Sequence, residues 1–177
     1  QPGVWDMIFW VNKTKVNKWV TYVDSDWAGE SNYSHTKSRT GVIIFLNGLP
    51  IFWRSNKQPD TSLSSAQAEV YALAEAARDV QLRLWVAEEL LLQVVWPAVI
   101  LVDNSSGIVF QQSMNPTSKL KGVFNLRWNW VTELQDKQRI KAVKVETKYN
   151  VADILTKPLD SKTRSRLMQL VENLREA

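Results

Sequence analysis

Apolar and polar residues alternate along Trp19-Val-Thr-Tyr-Val-Asp24, a pattern that predicts a β-strand with one face packed inward, and this one ends in an acid. Trp5 to Val11 reads as an earlier strand and Asn12 to Lys18 as a polar turn. Asp26 to Ser38 is polar and loop-like. Thr40–Leu46 and Leu49–Arg54 flank Asn47-Gly48, a pair that favours a tight hairpin, so three antiparallel strands in a row are expected. Ala66, Val70, Leu73, Ala77, Val80 and Leu84 then recur at helical spacing. Ser64 or Ser65 caps that helix, which is expected to run to about Val94 before Pro97 stops it. Ala98-Val-Ile-Leu-Val-Asp103 is a continuous apolar run that again ends in an acid. Such a run reads as a parallel strand covered on both faces. Asn104 to Gln112 reads as a short helix, Pro116 to Lys121 as a basic loop, and Gly122 to Lys137 as a Trp-rich helix. Ile140 to Thr147 alternates as a fifth main strand. Asn150 caps a short helix ended by Pro158, and Ser161 caps a last helix with Leu167, Leu170, Val171 and Leu174 on one face.

The order of three strands, helix, strand, helices, strand and helix predicts an α/β fold, a mixed sheet with helices on its faces. The 177 residues suit one domain able to bury a core, and a hydrophobic content of 45% argues against disorder. The chain has no Cys, which excludes disulfides, thiolate metal sites and a thiol nucleophile. His35 is the one histidine, which leaves little room for a histidine-based triad or zinc site. Carboxylates, Lys, Tyr and hydroxyls remain as the chemical groups. A net charge of +4 is compatible with a polyanion partner and equally with a merely soluble basic surface. No apolar run is long enough to span a membrane, and no signal peptide is recognisable. A start at Gln1-Pro2 in place of Met leads to the expectation of a piece of a longer polypeptide.

Four acids change the picture. Asp24 and Asp103 end two strands, and if these are parallel neighbours both carboxylates emerge at the sheet edge where open α/β sheets place ligands. Glu69 lies in the first turns of the helix between them, and Asp153 starts the helix after the last strand. Clustered carboxylates repel one another and need a cation; hard oxygen ligands suit Mg²⁺ or Mn²⁺. Two such ions activate a water and stabilise a leaving oxygen in phosphodiester cleavage. Each acid also has a plain structural reading. Asp24 serves a turn, Glu69 an exposed helix face, Asp103 a helix cap at Asn104, and Asp153 a cap with Asn150. Asp26 and Glu30 compete as ligands.

At these residues the chain resembles the ribonuclease H domain of copia-type LTR retrotransposon polyproteins. The matching segments are Tyr-Val-Asp24-Ser-Asp-Trp-Ala-Gly, Ser38-Arg-Thr-Gly-Val, Ile51-Phe-Trp-Arg-Ser-Asn-Lys-Gln-Pro, Leu63-Ser-Ser-Ala-Gln-Ala-Glu69, Val102-Asp103-Asn-Ser and Asn150-Val-Ala-Asp153-Ile-Leu-Thr-Lys-Pro-Leu. They keep the family's order and spacing from about residue 19 to 159. The resemblance implies a ribonuclease H-like fold with a five-stranded mixed sheet, and an Asp-Glu-Asp-Asp site of Asp24, Glu69, Asp103 and Asp153 holding two Mg²⁺ or Mn²⁺ ions. It implies cleavage of the RNA strand of RNA–DNA hybrids during reverse transcription. It places the protein inside the cell, in the cytoplasm within a virus-like particle, with the reverse transcriptase domain of the same polyprotein as partner. Residues 1–18 are expected to be the tail of the connection from reverse transcriptase, and residues 19–177 the ribonuclease H domain with its C-terminal helix.

Ser64 and Ser65 fall where the wider family contacts the hybrid, and Asn104 and Ser105 adjoin the third acid. Lys119, Lys121 and Arg127 are candidates for tracking phosphates, against the alternative of a solvated basic face. Trp128 and Trp130 are expected in the core rather than as platforms for bases. One stretch departs from the family: Lys121-Gly-Val-Phe-Asn-Leu-Arg127-Trp-Asn-Trp-Val lacks the two His often found there, and Glu146 to Tyr149 offers no His before the fourth acid. A catalytically silent or domesticated binding or scaffold domain of the same fold is the competing expectation, and another nuclease or integrase of the superfold is a third.

Overall fold

The computed structural model describes residues 16–27, 37–59, 61, 62, 64–103 and 121–174, with the backbone alone for 121–125. The expected strand at Trp5–Val11, the expected helix at Asn104–Gln112 and most of the basic loop at Pro116–Lys121 lie outside those residues. Five strands form one sheet among the described residues: β1 (Trp19–Asp26), β2 (Arg39–Leu46), β3 (Leu49–Lys57), β4 (Ala98–Val102) and β5 (Ile140–Lys144). The spatial order is β3-β2-β1-β4-β5. β1, β2 and β3 are antiparallel in sequence, whereas β4 runs parallel to both β1 and β5, so the sheet is mixed. The β2–β3 turn takes positive φ at Asn47 (52°) and Gly48 (81°), the backbone twist a two-residue hairpin needs.

Period-two alternation sorts the strand residues between two layers. Trp19, Val23, Val42, Ile44, Ala98, Ile100 and Val102 face α1 (Ser65–Glu89) and α2 (Lys121–Asp136). α1 presents Ala68, Ala72, Ala76, Ala77 and Ala87 among Val70, Leu73, Val80 and Leu84, and these small side chains let the helix seat closely on the sheet. Trp128 is buried in this layer and Trp130 packs against it, as expected from the sequence. Tyr22, Ile43 and Phe45 face the other way, against Val151 and Ala152. Leu170, Val171 and Leu174 of α3 (Ser161–Leu174) close that second layer.

Several sequence expectations shift. α1 ends at Glu89, not near Val94, because the chain turns at Leu91 (φ 56°) and Val94 instead bridges Asn17. β5 stops at Lys144, and Thr147–Tyr149 forms a 3₁₀ turn. α3 is capped by Asp160, whose Oδ1 accepts from the Thr163 amide at 2.9 Å, and Ser161 is its first residue. β4 is fully buried only on the α1 side; Val99 and Leu101 remain half-buried on the other.

Candidate active site

Parallel pairing sets the first two acids side by side. Val23 of β1 is the register partner of Val102 of β4, so the next residues, Asp24 and Asp103, stand side by side near the carboxyl edge of the sheet. β1 runs on to Asp26, past the strand end expected at Asp24, because Asp24 still pairs with Gly41 of β2. Asp153 arrives from below that edge on a 3₁₀ turn, Val151–Leu155. Asn150 fixes this turn: its Nδ2 donates to the Val23 carbonyl at 3.1 Å, and its Oδ1 accepts from the Ala152 amide at 3.2 Å. One side chain therefore caps the turn and ties it to the strand that carries Asp24. The turn approaches closely because Gly41, register partner of Asp24, has no side chain. A Cβ there would stand 2.8 Å from Thr156 Cγ2 and 2.9 Å from Leu155 Cβ.

The outcome is a cluster of Asp24, Asp103 and Asp153, each offering a carboxylate oxygen within 4.8 Å of the others. Asp24 and Asp153 are buried and Asp103 is half-buried. Glu69, in the second turn of α1, lines a small cavity with Asp24 and Asp103. It borders the cluster without belonging to that close set. Among the described residues Asp26 joins neither group; it lines a neighbouring cleft. Glu30 and His35 lie outside the described residues.

Burial and repulsion raise the proton affinity of Asp103 and Asp153. Burial, and then the Asp24 charge, push Asp153 up to about 6. Burial and the Asp24 charge also raise Asp103, while Lys157 and the Thr147 side chain work against the rise. Lys157 is the local counterion. Its Nζ lies 3.2 Å from Asp24 Oδ2 and 3.2 Å from Asp153 Oδ1. Burial alone would lower the Lys157 pKa, but Asp24 and Asp153 together raise it, so the ammonium stays charged. The Thr156 hydroxyl donates to Asp24 Oδ2. Sequence reasoning assigned no role to Thr156 or Lys157. A signal was present, since Asp153 and Lys157 stand four residues apart, the spacing at which opposite charges meet along a helical turn.

The donor set suits a hard divalent cation. All candidate ligands are carboxylate oxygens, and an ammonium already stands where the acids demand positive charge. The other residues expected at the site fall as follows. Ser64 caps α1, its Oγ accepting from the Gln67 amide at 3.2 Å, and Ser65 begins the helix; both are exposed. Arg127 sits with its guanidinium 4.3 Å from the centre of the Tyr71 ring, a contact that joins α2 to α1. Asn104, Ser105 and Lys119 lie outside the described residues, as does the Lys121 side chain.

No family model matches the chain. Among curated proteins, it is 31% identical over 137 residues to the retrovirus-related Pol polyprotein from transposon TNT 1-94 of Nicotiana tabacum, covering 77% of this chain and 10% of that protein. The polyprotein from transposon RE2 of Arabidopsis thaliana is 31% identical over 138 residues, covering 78% and 9%. The transposon Ty1-JR1 Gag-Pol polyprotein of Saccharomyces cerevisiae is 29% identical over 147 residues, covering 83% and 8%. The chain thus spans about a tenth of the length of these relatives. Among solved structures, LC11-RNase H1 in complex with RNA/DNA hybrid superposes with a TM-score of 0.56 at 15% identity, over 78% of this chain and 94% of that one. The N-terminal RNase H domain of rv2228c from Mycobacterium tuberculosis gives 0.51 at 19% identity, over 78% and 95%. The fold is that of ribonuclease H, and the chain belongs with the Pol polyproteins of copia-type retrotransposons as a ribonuclease H-fold segment of them.

Proposed function

We propose that this chain is an endonuclease that hydrolyses the RNA strand of RNA–DNA hybrids with the help of divalent metal, and that it does so during reverse transcription of a retrotransposon. The observation that carries the reading is the convergence of Asp24, Asp103 and Asp153, from two neighbouring parallel strands and a 3₁₀ turn, within 4.8 Å. A silent scaffold has no use for three half-buried or buried acids whose proximity costs stability. Together with Glu69 they would hold Mg²⁺ or Mn²⁺, two ions on this reading. When bound, such ions supply charge neutralisation and an activated water for phosphodiester hydrolysis.

The chain's own residues do the positioning. Asn150 and Thr156 lock the turn that carries Asp153 against the strand that carries Asp24. Lys157 keeps the Asp24 and Asp153 carboxylates turned toward one another. Ser64 and Ser65, exposed at the start of α1, are the proposed contacts to the hybrid groove, where 2′-hydroxyls distinguish RNA from DNA. The reverse transcriptase domain of the same polyprotein is the proposed covalent neighbour, joined through residues 1–18, in the cytoplasm within a virus-like particle. Among the described residues no helix is long and apolar enough to cross a membrane.

The test is incubation of the full chain with end-labelled RNA–DNA hybrid, duplex DNA and duplex RNA, in Mg²⁺ or in EDTA. Cutting of the hybrid's RNA strand alone, abolished by EDTA, is the expected result. Equal cutting of duplex DNA would assign the site to another nuclease class, and no cutting at all would favour the scaffold.

A further inference from the structure

The sequence offers Lys119, Lys121 and Arg127 as candidates for tracking phosphates, and Arg127 also lies over the Tyr71 ring. A different set of cations stands beside the acids. A cleft of about 350 Å³ opens between the ends of β1, β2 and β3 and the Ile154–Pro158 segment. Its described lining carries Lys37, Arg39, Lys57 and Lys157 against the single acid Asp26. Two of these cations are held by neutral groups: Arg39 donates to Ser55 Oγ at 3.1 Å, and Lys37 Nζ donates to the Pro59 carbonyl at 2.7 Å. Arg39 also interacts with the Asp26 carboxylate, and the cations of the described lining still outnumber that one acid.

Strand register gives the cleft its distance from the chemistry. Asp26, Arg39 and Lys57 are register partners in one row across β1, β2 and β3. Asp24, Gly41 and Ser55 form the row two residues back. Paired residues share a sheet face and alternate residues return to it, so both rows present side chains on the face that Asp153 approaches. Along the strands the two rows are one repeat apart, about 6.7 Å, and Arg39 and Lys57 stand one and two strands to the side of Asp24, about 4.8 and 9.6 Å. The long Arg39 and Lys57 side chains can span that offset to reach the phosphate next along a nucleic-acid strand. Resting on the nuclease reading above, we infer that this cleft is a subsite for the phosphodiester group adjacent to the one being cut, on the same strand, with Arg39 and Lys57 as its anion-binding groups.

The subsite sets the register of cleavage. A phosphate seated between Arg39 and Lys57 fixes which neighbouring phosphate lies over Asp24, and a guanidinium does so in two directions at once. Binding through the cleft therefore aligns the strand as well as adding affinity.

The test uses the full chain and a hybrid with one defined cut site, set by a short run of ribonucleotides. Two further hybrids carry a nick that lacks one phosphate, immediately to either side of that site. On the intact hybrid, Arg39→Gln with Lys57→Gln is expected to raise KM about tenfold or more, as for loss of charged hydrogen bonds. On one of the two nicked hybrids wild type and variant should have equal KM. The charge-conserving pair Arg39→Lys with Lys57→Arg should restore most of the KM on the intact hybrid, which separates lost anion binding from a lost fold. An unchanged KM in the Gln pair would overturn the subsite, and so would an equal loss on all three hybrids or no recovery in the charge-conserving pair. If wild type cuts none of the hybrids, the nuclease reading itself fails, independently of the cleft.

Discussion

The two faces of the sheet are built on different principles. Toward α1 and α2 the sheet buries a continuous apolar layer, from Trp19 and Ile44 through Ala76, Leu84 and Ile100 to Val131. Toward the Val151–Leu155 turn the apolar layer is small, and buried polar groups hold the contact: Asn150, Asp153 and Thr156 are 0%, 7% and 5% exposed. The first face is stabilised by area removed from water, which is indifferent to detail so long as volume is filled. The second depends on individual hydrogen bonds, each costly to leave unmade. The acid cluster sits on the second face because carboxylates can be buried only where named partners receive them. Stability and activity should therefore separate by face.

The largest expected effect tests the apolar face. Leu84 is fully buried between α1 and the sheet, and Leu84→Ala should cost about 2–5 kcal/mol of stability, read by urea unfolding. Activity per folded molecule should persist. Loss of hydrolysis in protein that is still folded would show that the two faces are coupled.

A second prediction concerns the acid face without metal. Asp153 titrates at about 6, above the usual 3.8. The folded protein therefore holds this proton more tightly than the unfolded chain, and the Asp153 contribution weakens as pH rises from about 4 to about 6. Between those limits metal-free wild type should lose up to about 3 kcal/mol relative to Asp153→Asn, measured as the difference between their unfolding curves. Added Mg²⁺ should reverse the loss above pH 6, since binding requires the ionised acid. A flat difference across that range would contradict the burial argument.

The smallest effect on stability comes where strand meets turn. Gly41→Ala places a Cβ against Thr156 and Leu155, and should destabilise by about 1–3 kcal/mol. It should also lower hydrolysis roughly 10–100-fold by shifting groups that orient the Asp24 carboxylate. A change in stability with no change in hydrolysis would mean that the seat of the turn does not matter to the acids.

The same division explains what could be read from the chain. Hairpin, α1 and the buried strand were legible because periodicity and Asn47-Gly48 encode them locally. Asp103 was legible as a strand end and Asp24 as an acid near one, since parallel pairing brings such positions together, although β1 continues to Asp26. The end of α1 was misjudged because apolar residues continue from Leu90 to Val95 and serve the Asn17 bridge rather than a helix. Lys157 and Thr156 were passed over because their partner, Asp24, lies more than 130 residues away in sequence, and no local pattern announces such a pairing. Arg127, a candidate for tracking phosphates, also lies over the Tyr71 ring, a contact that charge alone does not reveal. The basic cleft escaped for a similar reason, since its cations are brought together only by the register of three strands and a distant turn.

The central claim is that the clustered acids perform metal-dependent hydrolysis, and Asp103→Asn tests it most directly. The substitution keeps size and shape but removes a charge and a good ligand, and it relieves repulsion that raises the pKa of its neighbour Asp153. Single-turnover cleavage of RNA–DNA hybrid in Mg²⁺ should fall by more than about 100-fold, with thermal stability of the metal-free protein unchanged or raised. Asp136→Asn, at an exposed position at the end of α2, should cut like wild type. Wild-type cleavage by Asp103→Asn would contradict the account.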